Sequence, residues 1–470
     1  RISENKFIKL EGMVVDSVDE RPELIYGDKD GEEAEWNIRR IGADLVWDKL
    51  GIDGTGAVIG LIDTGATWDH PALKEKWRGY DPVTGDTDPE GNWFDAVQDE
   101  DMPYDVMGRA HGTSILGVIL GQEPDGSNKI GVAPGAKWIV AKALSIDGGL
   151  SNDLIAAGEW MLAPGGDPTR APDVINNSWG GDTGEDEWFR EIVRAWRAAE
   201  IVPVFVAGNE TWGKPEPGSI TNPGNYPESL AVAATKRDNV RAHFSKLGPS
   251  PFDENLIKPE ISAPGVGIRS SIPSGYESGM EGTSMAAPHL TGTVALLASA
   301  DSSLKADEIQ KIIEDTAIGL TDDEYPNSPN FGYGYGLIDA FEATSTAISG
   351  AGIISGRVLV EGEDLEDPVI VHKQETKEAY INSDIEIKAS ISDDVSIVEA
   401  ELLVKRESGS DWVLIPMSRV SGDHKDGIYE AVITGDILEE SGIIYKIRAV
   451  DYDGNTVVTE DYKIDIIFGI

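Results

Sequence analysis

The sequence has 470 residues, of which 40% are apolar, 53 are glycine and 25 are proline, a composition that allows two domains with a large core and is typical of a loop-rich globular protein. Its 39 basic and 84 acidic residues give a formal net charge of -45, which argues against nucleic acid or an anionic membrane as a partner. The lack of cysteine excludes disulfides, thiol catalysis and cysteine-ligated metals.

Residues 1–35 are predicted to form an appendage to the main fold. A strand-like run at 7–15 is followed by an acidic, turn-rich stretch. No signal peptide precedes Arg1 and no apolar run reaches transmembrane length, so we expect a soluble form whose targeting segment has been removed or never existed. Residues 36–50 have the spacing of one helix, with Gly51 as its expected end.

A buried parallel strand is predicted at residues 57–62, which are apolar on both faces and end at Asp63-Thr64-Gly65. A carboxylate at the carboxyl end of a central strand lies where open α/β sheets place their active sites. Two alternatives stay open for Asp63. It is either a simple turn cap, or part of a loop like that of retroviral-type aspartic proteases, which residues 61–66 also resemble. Those proteases need two such loops, and this chain contains one.

His111 opens a helical run of small residues that extends to Leu120. A single histidine is more often structural than catalytic, and this chain has six. A catalytic role is favoured here because His111 follows a strand-end aspartate and precedes the serine described below. Strand-like segments recur, with helical patterns between them, at residues 136–143, 173–177, 201–207 and 230–234. This alternation predicts a doubly wound, mostly parallel sheet.

The candidate nucleophile is Ser284, which stands among small residues at the start of an apolar helical run at 285–298. Thr283 and Ser284 are expected to cap this helix, so that its N–H groups and positive dipole end face an oxyanion forming on an acyl group. Asn209 follows the strand at 201–207, where turn formation is the alternative to a catalytic role. Because all of these polar residues fall at loop junctions of one sheet, we expect them to share a site.

The character of the chain changes near Ser349, where helical periodicity ends. The remaining residues form short β-branched runs separated by turn signals, roughly seven or eight strands in about 115 residues. This pattern predicts an independent antiparallel sandwich of the immunoglobulin or fibronectin type. The predicted fold class is therefore α/β, with a doubly wound mostly parallel sheet, followed by an all-β sandwich domain.

Three segments resemble the signature segments of subtilisin-like serine proteases: Asp63-Thr64-Gly65, His111-Gly112-Thr113 and Gly282-Thr283-Ser284-Met285-Ala286-Ala287-Pro288. Their order, Asp then His then Ser, is that of the subtilisins and not that of chymotrypsin or the α/β-hydrolases. The resemblance implies a catalytic domain at 36–348, with residues 1–35 as an N-terminal extension or propeptide remnant and 349–470 as the sandwich. One branch of the family is resembled in particular. The resemblance to that branch lies in the linking segments at 176–181 and 258–265 and in the added C-terminal module.

Catalytic roles follow from this resemblance. Ser284 is implied to be the nucleophile, and His111 the base that takes its proton and later protonates the leaving amine. Asp63 then fixes the imidazole tautomer and stabilises its charged form. Asn209 matches the family's oxyanion-hole asparagine, whose side-chain amide acts together with the Ser284 backbone N–H.

The same resemblance implies the substrate-binding residues. Ser178-Trp179-Gly180 and Asp147-Gly148-Gly149-Leu150 are similar to the two edge segments between which family members hold an extended peptide as an added β-strand. Ala207, Gly208 and Thr221 are expected to line the pocket for the side chain before the scissile bond. Thr221 stands where glycine is frequent, which predicts a narrowed pocket.

No cofactor is expected for the chemistry, and the metal content of the chain is left open. Ala72 stands where many relatives have an aspartate that ligates calcium, although Asn128-Lys129-Ile130-Gly131-Val132 resembles the loop that completes that site. A structural Ca²⁺ bound only by oxygens loses a charged ligand at Ala72, which calls the usual site into question.

The sequence therefore predicts a secreted serine endopeptidase of broad specificity that works through an Asp-His-Ser triad and an acyl-enzyme intermediate. Its expected partners are polypeptide substrates and its own propeptide, with no nucleic acid, no transmembrane segment and a monomeric state. A catalytically silent binding protein on the same fold is one alternative, and the intact set Asp63, His111, Ser284 and Asn209 argues against it. An aspartic protease is the other, and it would work at acid pH and ignore serine-directed reagents.

Overall fold

The computed structural model describes residues 5–9, 34–106, 110–145, 147–211, 213–349, 366–381, 383–422, 424–437, 442–452 and 454–467. The chain divides into two compact units, residues 1–353 and 354–470. The boundary predicted after residue 348 borders residues 350–365, which lie outside the described residues, so that boundary stays a prediction. Among the helices that the structure describes, none combines the length and apolar character needed to cross a membrane.

The centre of the first unit is a parallel sheet. The strands of this unit are β1 (Phe7–Lys9), β2 (Val58–Asp63), β3 (Trp93–Asp95), β4 (Lys137–Lys142), β5 (Gly148–Leu150), β6 (Val174–Asn177), β7 (Val202–Val206), β8 (Leu230–Thr235), β9 (Ile261–Pro264), β10 (Val266–Ile272) and β11 (Gly275–Glu281). In the described residues, seven of them pair in parallel in the order β3-β4-β2-β6-β7-β8-β9. The predicted mostly parallel sheet is confirmed. Two antiparallel pairs, β1 with β5 and β10 with β11, lie outside it.

Helices cover both faces of this sheet. They are α1 (Trp36–Arg40), α2 (Ala43–Leu45), α3 (His111–Leu120), α4 (Ser151–Leu162), α5 (Arg190–Ala198), α6 (Thr283–Ala300), α7 (Ala306–Thr316) and α8 (Ala340–Ser349). Along β2, Ile59 and Leu61 enter one apolar cluster with residues of α3 and α6, whereas Ile62 enters a second cluster with residues of α4 and α5. Because successive side chains of a strand point to opposite faces, this division shows that the sheet is doubly wound.

Shorter helical turns lie at Val46–Leu50, which is a π turn, and at Lys74–Lys76, Pro164–Gly166 and Pro168–Arg170, which are 3₁₀ turns. The single helix predicted over residues 36–50 is wrong. Gly42 has φ of 68°, a left-handed conformation that cannot continue a right-handed helix, and it separates α1 from α2. The predicted end at Gly51 is confirmed, since Gly51 follows the π turn with φ of 67°.

The second unit consists of two sheets. Its strands are β12 (Val369–Val371), β13 (Glu378–Tyr380), β14 (Ile385–Ser392), β15 (Ile397–Arg406), β16 (Val413–Pro416), β17 (Ser418–Gly422), β18 (Asp426–Ile433), β19 (Ile443–Asp451), β20 (Thr456–Val458) and β21 (Tyr462–Ile467), with a 3₁₀ turn at Gly435–Ile437. One sheet has the order β12-β14-β18-β17, and the other has the order β13-β21-β19-β15-β16, with β20 on β19. All pairs are antiparallel except β13 with β21.

The two sheets of the second unit share one core. Ile387 and Tyr429 from the first sheet and Leu402 and Ile447 from the second lie in a single apolar cluster. Buried and less buried residues alternate along β14 and β19, as expected for strands with one face turned to a core. The predicted all-β sandwich is confirmed, and its assignment to the immunoglobulin or fibronectin type stays a prediction.

A chain that ends at residue 353 is expected to fold, because the parallel sheet and all eight helices named above precede that residue and the second unit has its own core. Thermal unfolding followed by circular dichroism measures this. The truncated chain should unfold cooperatively, with a midpoint within about 5 °C of the corresponding transition in the full chain. An insoluble or non-cooperatively unfolding product would show that the first unit depends on the second.

Candidate active site

The four residues with predicted catalytic roles lie where elements of the first unit begin or end. Asp63 is the last residue of β2, His111 is the first residue of α3, and Asn209 follows β7. Ser284 is the second residue of α6, which packs against α3 and against β6, β7, β8 and β9. The carboxyl edge of a parallel sheet is where the loops of several strands converge, so residues distant in sequence meet there.

Asp63 and His111 form a buried hydrogen-bonded pair. The distance from His111 Nδ1 to Asp63 Oδ1 is 2.8 Å, and the two side chains are 2% and 0% exposed. The backbone N–H of Thr64 also donates to Asp63 Oδ1, at 2.7 Å. Because an ionised carboxylate can only accept, Nδ1 of His111 is the protonated nitrogen. The neutral ring therefore presents Nε2 as an acceptor, which is the tautomer that a general base requires.

The charge state of His111 depends on two opposing effects. Burial lowers its pKa, whereas the charge of Asp63, the hydrogen bond to that carboxylate and the charge of Asp105 raise it. The two charges and the hydrogen bond together outweigh burial, so the pKa of His111 lies above the ordinary 6.5. His111 therefore becomes a neutral base only at a higher pH than an ordinary histidine does.

Ser284 and His111 are not hydrogen-bonded to each other in this structure. Ser284 Oγ and His111 Nε2 are both buried, and neither has a hydrogen-bond partner among the residues that the structure describes. Hydrogen bonds between nucleophile and base are frequently long in unliganded enzymes and shorten when substrate binds. The two atoms are thus an unsatisfied donor and an unsatisfied acceptor within the site.

The predicted capping of α6 by Thr283 and Ser284 is wrong. The residue that precedes the helix is Gly282, with φ of 146°, and it has no side chain that could cap the helix. Thr283 instead donates from its N–H to Asn209 Oδ1 at 2.9 Å and from Oγ1 to the same oxygen at 2.8 Å. These two bonds fix the amide of Asn209, so that Oδ1 faces Thr283 and Nδ2 faces away from it.

Gly282 borders the space in which the predicted catalytic atoms meet. A Cβ atom built on Gly282 would lie 2.8 Å from Ser284 Oγ, 3.5 Å from Asn209 Nδ2 and 3.6 Å from Ser284 N. One hydroxyl oxygen and two N–H donors therefore surround a single small volume next to a residue without a side chain. An oxygen atom of an acyl group placed in this volume would be within reach of both donors.

The edge formed by β5 is occupied by the chain itself. Gly148 and Gly149 pair in antiparallel register with Lys9 and Ile8 of β1. A Cβ on Gly149 would lie 2.3 Å from the carbonyl oxygen of Ala143, so this edge needs glycine. Ile8 is buried in the same apolar cluster as Trp179. The segment that the sequence predicts to hold an extended peptide thus pairs with a strand of this chain.

The second predicted edge, Ser178-Trp179-Gly180, is buried. Ser178 Oγ donates to the carbonyl oxygen of Ser284 at 3.2 Å, and the indole N–H of Trp179 donates to the carbonyl oxygen of Ile62 at 2.9 Å. The Trp179 ring packs edge-on against Phe189 and Phe205 in the core. Any contribution of Trp179 to substrate binding is therefore restricted to its backbone.

The residues predicted to line the side-chain pocket lie together. Thr221 Oγ1 would be 2.4 Å from a Cβ on Gly180 and 2.8 Å from a Cβ on Gly208, and it has no hydrogen-bond partner among the described residues. The N–H of Thr221 donates to the carbonyl oxygen of Ala207 at 3.2 Å. The methyl group of Ala207 packs in a small apolar cluster, so Ala207 can contribute only its backbone to a pocket. The pocket role of these residues stays a prediction.

Asp105 is a site residue that the sequence analysis missed. Its Oδ1 accepts from Thr64 Oγ1 at 2.7 Å, and its Oδ2 accepts from the N–H and Oγ1 of Thr113 at 2.8 and 2.6 Å. Thr64 follows Asp63 and Thr113 lies two residues after His111, so one half-buried carboxylate ties both loops together. Burial raises the pKa of Asp105, hydrogen bonds from the two threonines lower it, and its net direction is upward. In sequence, Asp105 is one of many acids in an acidic loop, which gave no signal.

A buried lysine also contacts the loop that follows Asp63. Lys142 is the last residue of β4 and pairs with Asp63 in register. Its Nζ donates to the carbonyl oxygens of Thr64 at 2.5 Å and of Leu144 at 3.0 Å. Burial lowers the pKa of Lys142, against the opposing charges of Asp105, Asp95 and Asp63. The ammonium thus holds the backbone that follows the strand-end aspartate.

Comparison with known proteins agrees with the geometry. Residues 54–336 match the subtilase family of peptidases (Peptidase_S8). The chain is 49% identical to bacillopeptidase F of Bacillus subtilis (strain 168) over 440 residues, which cover 92% of this chain and 30% of that protein. It is 31% identical to subtilisin DY of Bacillus licheniformis over 305 residues, which cover 65% of this chain and 96% of that protein. The branch indicated by the linking segments is that of bacillopeptidase F, and the resemblance is confirmed, although the chain spans less than a third of that relative's length.

Asp105→Asn is expected to lower the pKa of His111, because it removes a negative charge that favours the imidazolium. An NMR titration of the His111 ring in the variant and the parent measures this directly. Asp95→Asn is the matched control, since Asp95 is also buried in this region but is not among the charges that shift His111. An unchanged His111 pKa in Asp105→Asn would reduce Asp105 to a purely structural residue.

Proposed function

Because the chain belongs to the subtilase family of peptidases, we propose that it is a secreted serine endopeptidase that cleaves peptide bonds in proteins with Ser284 as its nucleophile. The observation that carries the proposal is the buried hydrogen bond between His111 and Asp63, which leaves Nε2 as the acceptor. The common volume bordered by Ser284 Oγ, Ser284 N and Asn209 Nδ2 supports it further.

In the proposed acylation step, Ser284 Oγ attacks the carbonyl carbon of the scissile peptide while His111 Nε2 accepts the hydroxyl proton. Asp63 keeps the proton on Nδ1 and stabilises the imidazolium that forms. The carbonyl oxygen becomes an oxyanion, to which the Ser284 N–H and the Asn209 Nδ2–H donate. The positive end of the α6 dipole favours the same negative charge.

The imidazolium then gives its proton to the leaving amine, and the acyl group remains on Ser284 as an ester. A water molecule attacks this ester while His111 again acts as the base, and the serine hydroxyl is restored when the acid product leaves. Every proton in this sequence is carried by His111. The chemistry therefore needs no cofactor.

The substrate is proposed to bind as an extended strand on the β5 edge. Main-chain pairing with Gly148 and Gly149 does not read side chains, so it tolerates many sequences and supports broad specificity. The strand β1 supports this mode, because it already pairs with this edge in antiparallel register. Lys6, just before β1, forms an ion pair with Asp186. We infer that residues 5–9 stand in for the substrate as part of the chain's own propeptide.

The aspartic protease alternative is disfavoured by the surroundings of Asp63. That mechanism needs two carboxyl groups that share one proton. The hydrogen-bond partner of Asp63 is instead an imidazole, and the nearby Asp105 directs its oxygens to Thr64 and Thr113. A single carboxylate bonded to a histidine fits the role of an orienting group in a serine protease.

Ser284→Ala is expected to abolish hydrolysis of casein and of chromogenic peptides, because the variant lacks the nucleophile but fits the same space. Circular dichroism should be unchanged. Ser114→Ala is the matched control, since Ser114 is also buried but donates its hydroxyl to the carbonyl oxygen of Ser271. It should keep its turnover. Normal turnover by Ser284→Ala would end the serine protease assignment, and inactivity of a well-folded parent would favour a silent binding protein.

Thr221→Gly is expected to increase acceptance of large aromatic side chains before the scissile bond, because it empties the space against Gly180 and Gly208. One methylene changes discrimination by about 1–3 kcal/mol, so the ratio of kcat/KM for Phe over Ala peptides should rise roughly ten- to a hundredfold. Thr221→Ser, which removes only the methyl group, should give a smaller change. Kinetics on matched Ala, Leu and Phe peptides decide this, and a constant ratio would mean that Thr221 does not shape the pocket.

A further inference from the structure

An arginine joins three segments of the first unit that are far apart in sequence. Arg269, on β10, donates from Nη1 to Glu35 Oε1 at 3.1 Å and from Nη2 to Asn128 Oδ1 at 2.6 Å. The side chain of Arg269 is 26% exposed and that of Glu35 is 16% exposed. The guanidinium thus lies largely out of solvent, between a carboxylate before α1 and an amide in a loop before β4.

A second set of contacts involves the face of this guanidinium and the partners of Asn128. The Arg269 side chain lies 4.6 Å above the centre of the Tyr276 ring. The Tyr276 hydroxyl donates to Glu123 Oε1 at 2.5 Å, and Asn128 Nδ2 donates to the same oxygen at 3.0 Å. These contacts form a closed ring of four residues, Arg269, Asn128, Glu123 and Tyr276. Glu35 is a fifth member, bonded to Arg269 outside the ring. We call these five residues the arginine cluster.

One member of the arginine cluster, Asn128, is the first residue of the loop at 128–132 that resembles a calcium-binding loop. In that loop, Asn128 Oδ1 accepts from Arg269 Nη2. The carbonyl oxygen of Lys129 accepts from Glu35 N at 3.1 Å, and that of Val132 accepts from the Trp47 indole at 2.9 Å. Three oxygens of the loop are therefore directed at N–H donors of the protein.

A loop whose oxygens accept from N–H groups does not fit a calcium ion. Ca²⁺ takes six to eight oxygen ligands, with carboxylates prominent among them. Ala72, which stands at the position of a ligating aspartate, has no side-chain oxygen, and its backbone N–H and C=O bond to His70 Nδ1 and Gln122 N. The amide oxygen of Asn128 is taken by a cation that belongs to the chain.

We propose that Arg269 takes the place of calcium in this chain, with its guanidinium holding Glu35 and the loop at 128–132 together as a bound metal would. A guanidinium is planar and always charged, and its fork of donors can reach two acceptors at once. Its single charge suits a site that has lost one carboxylate, and its flat face stacks on Tyr276. Loop anchoring in this chain is consequently independent of the calcium supply.

The test is thermal unfolding of the full chain carrying Ser284→Ala, which prevents self-digestion, in chelator and in millimolar calcium. In chelator, Arg269→Met should lower the midpoint by about 3–6 °C. A double variant combines Ala72→Asp, which restores a carboxylate, with Arg269→Met, which frees the Asn128 oxygen. This double variant should regain most of the loss when calcium is added, but not with magnesium, which demands a tighter octahedral shell. Terbium luminescence sensitised by Tyr276 should appear in the double variant and be displaced by calcium.

Arg197→Met is the matched control. Arg197 donates to a carboxylate and to an amide oxygen, Asp307 Oδ1 and Gln310 Oε1, away from this loop. Arg197→Met should lower the unfolding midpoint. When it is combined with Ala72→Asp, the midpoint should not respond to calcium. If Arg269→Met proves insoluble, Glu35→Gln reports the same contact.

Three results would overturn the proposal. One is an unchanged midpoint in both Arg269→Met and Glu35→Gln. Another is a calcium-induced rise in the Ser284→Ala chain that Asn128→Ala abolishes, since the loop would then bind calcium with Arg269 in place. The third is a folded double variant that gains neither calcium stabilisation nor terbium signal. None of these results depends on peptidase activity, so they leave the proposed function untouched.

Discussion

The site depends on one buried interaction, the hydrogen bond between His111 Nδ1 and Asp63 Oδ1. A carboxylate removed from water is costly unless donors and an opposite charge surround it. The fold meets this need by ending β2 at Asp63 and beginning α3 at His111, so that two distant positions meet at one sheet edge. Asp105 then holds Thr64 and Thr113, which lie close after Asp63 and His111 in the chain, and Lys142 holds the carbonyl oxygen of Thr64. The tautomer of His111, and with it the possibility of general-base chemistry, follows from this arrangement.

The surroundings of the proposed nucleophile, Ser284, depend on two other residues. Gly282 leaves a small volume open beside Ser284, and Thr283 turns the Asn209 amide so that its nitrogen borders that volume. Neither residue reacts in the proposed mechanism. They act by position, because an oxyanion donor is effective only when it points to where charge develops.

The sequence predicted the parts of the site that depend on residue type and order along the chain. Asp63, His111, Asn209 and Ser284 are candidates because each follows a strand or opens a helix with a distinctive local pattern. Asp105 was missed because its partners Thr64 and Thr113 are ordinary residues whose meeting is created by the fold. The capping of α6 was misjudged because Thr283 bonds to Asn209, which is 74 residues away along the chain.

The same limit applies to the other features. Trp179 and Ala207 are predicted to bind substrate, but their side chains pack in the core, which a motif does not reveal. The arginine cluster joins residues from 35 to 276, so no local pattern could indicate it. The departure at Ala72 was visible, but what compensates for it was not. Local patterns therefore indicate candidate residues within single segments, whereas contacts between distant segments become visible only in the folded chain.

The central claim is that His111 activates Ser284 for attack on a carbonyl. A fluorophosphonate reacts far faster with such an activated serine than with an ordinary hydroxyl, so mass spectrometry of the labelled, digested protein tests the claim directly. At alkaline pH the account predicts one adduct, on the peptide that contains Ser284, and its loss in His111→Ala. An adduct on another residue, or labelling of Ser284 at the same rate without His111, would contradict it.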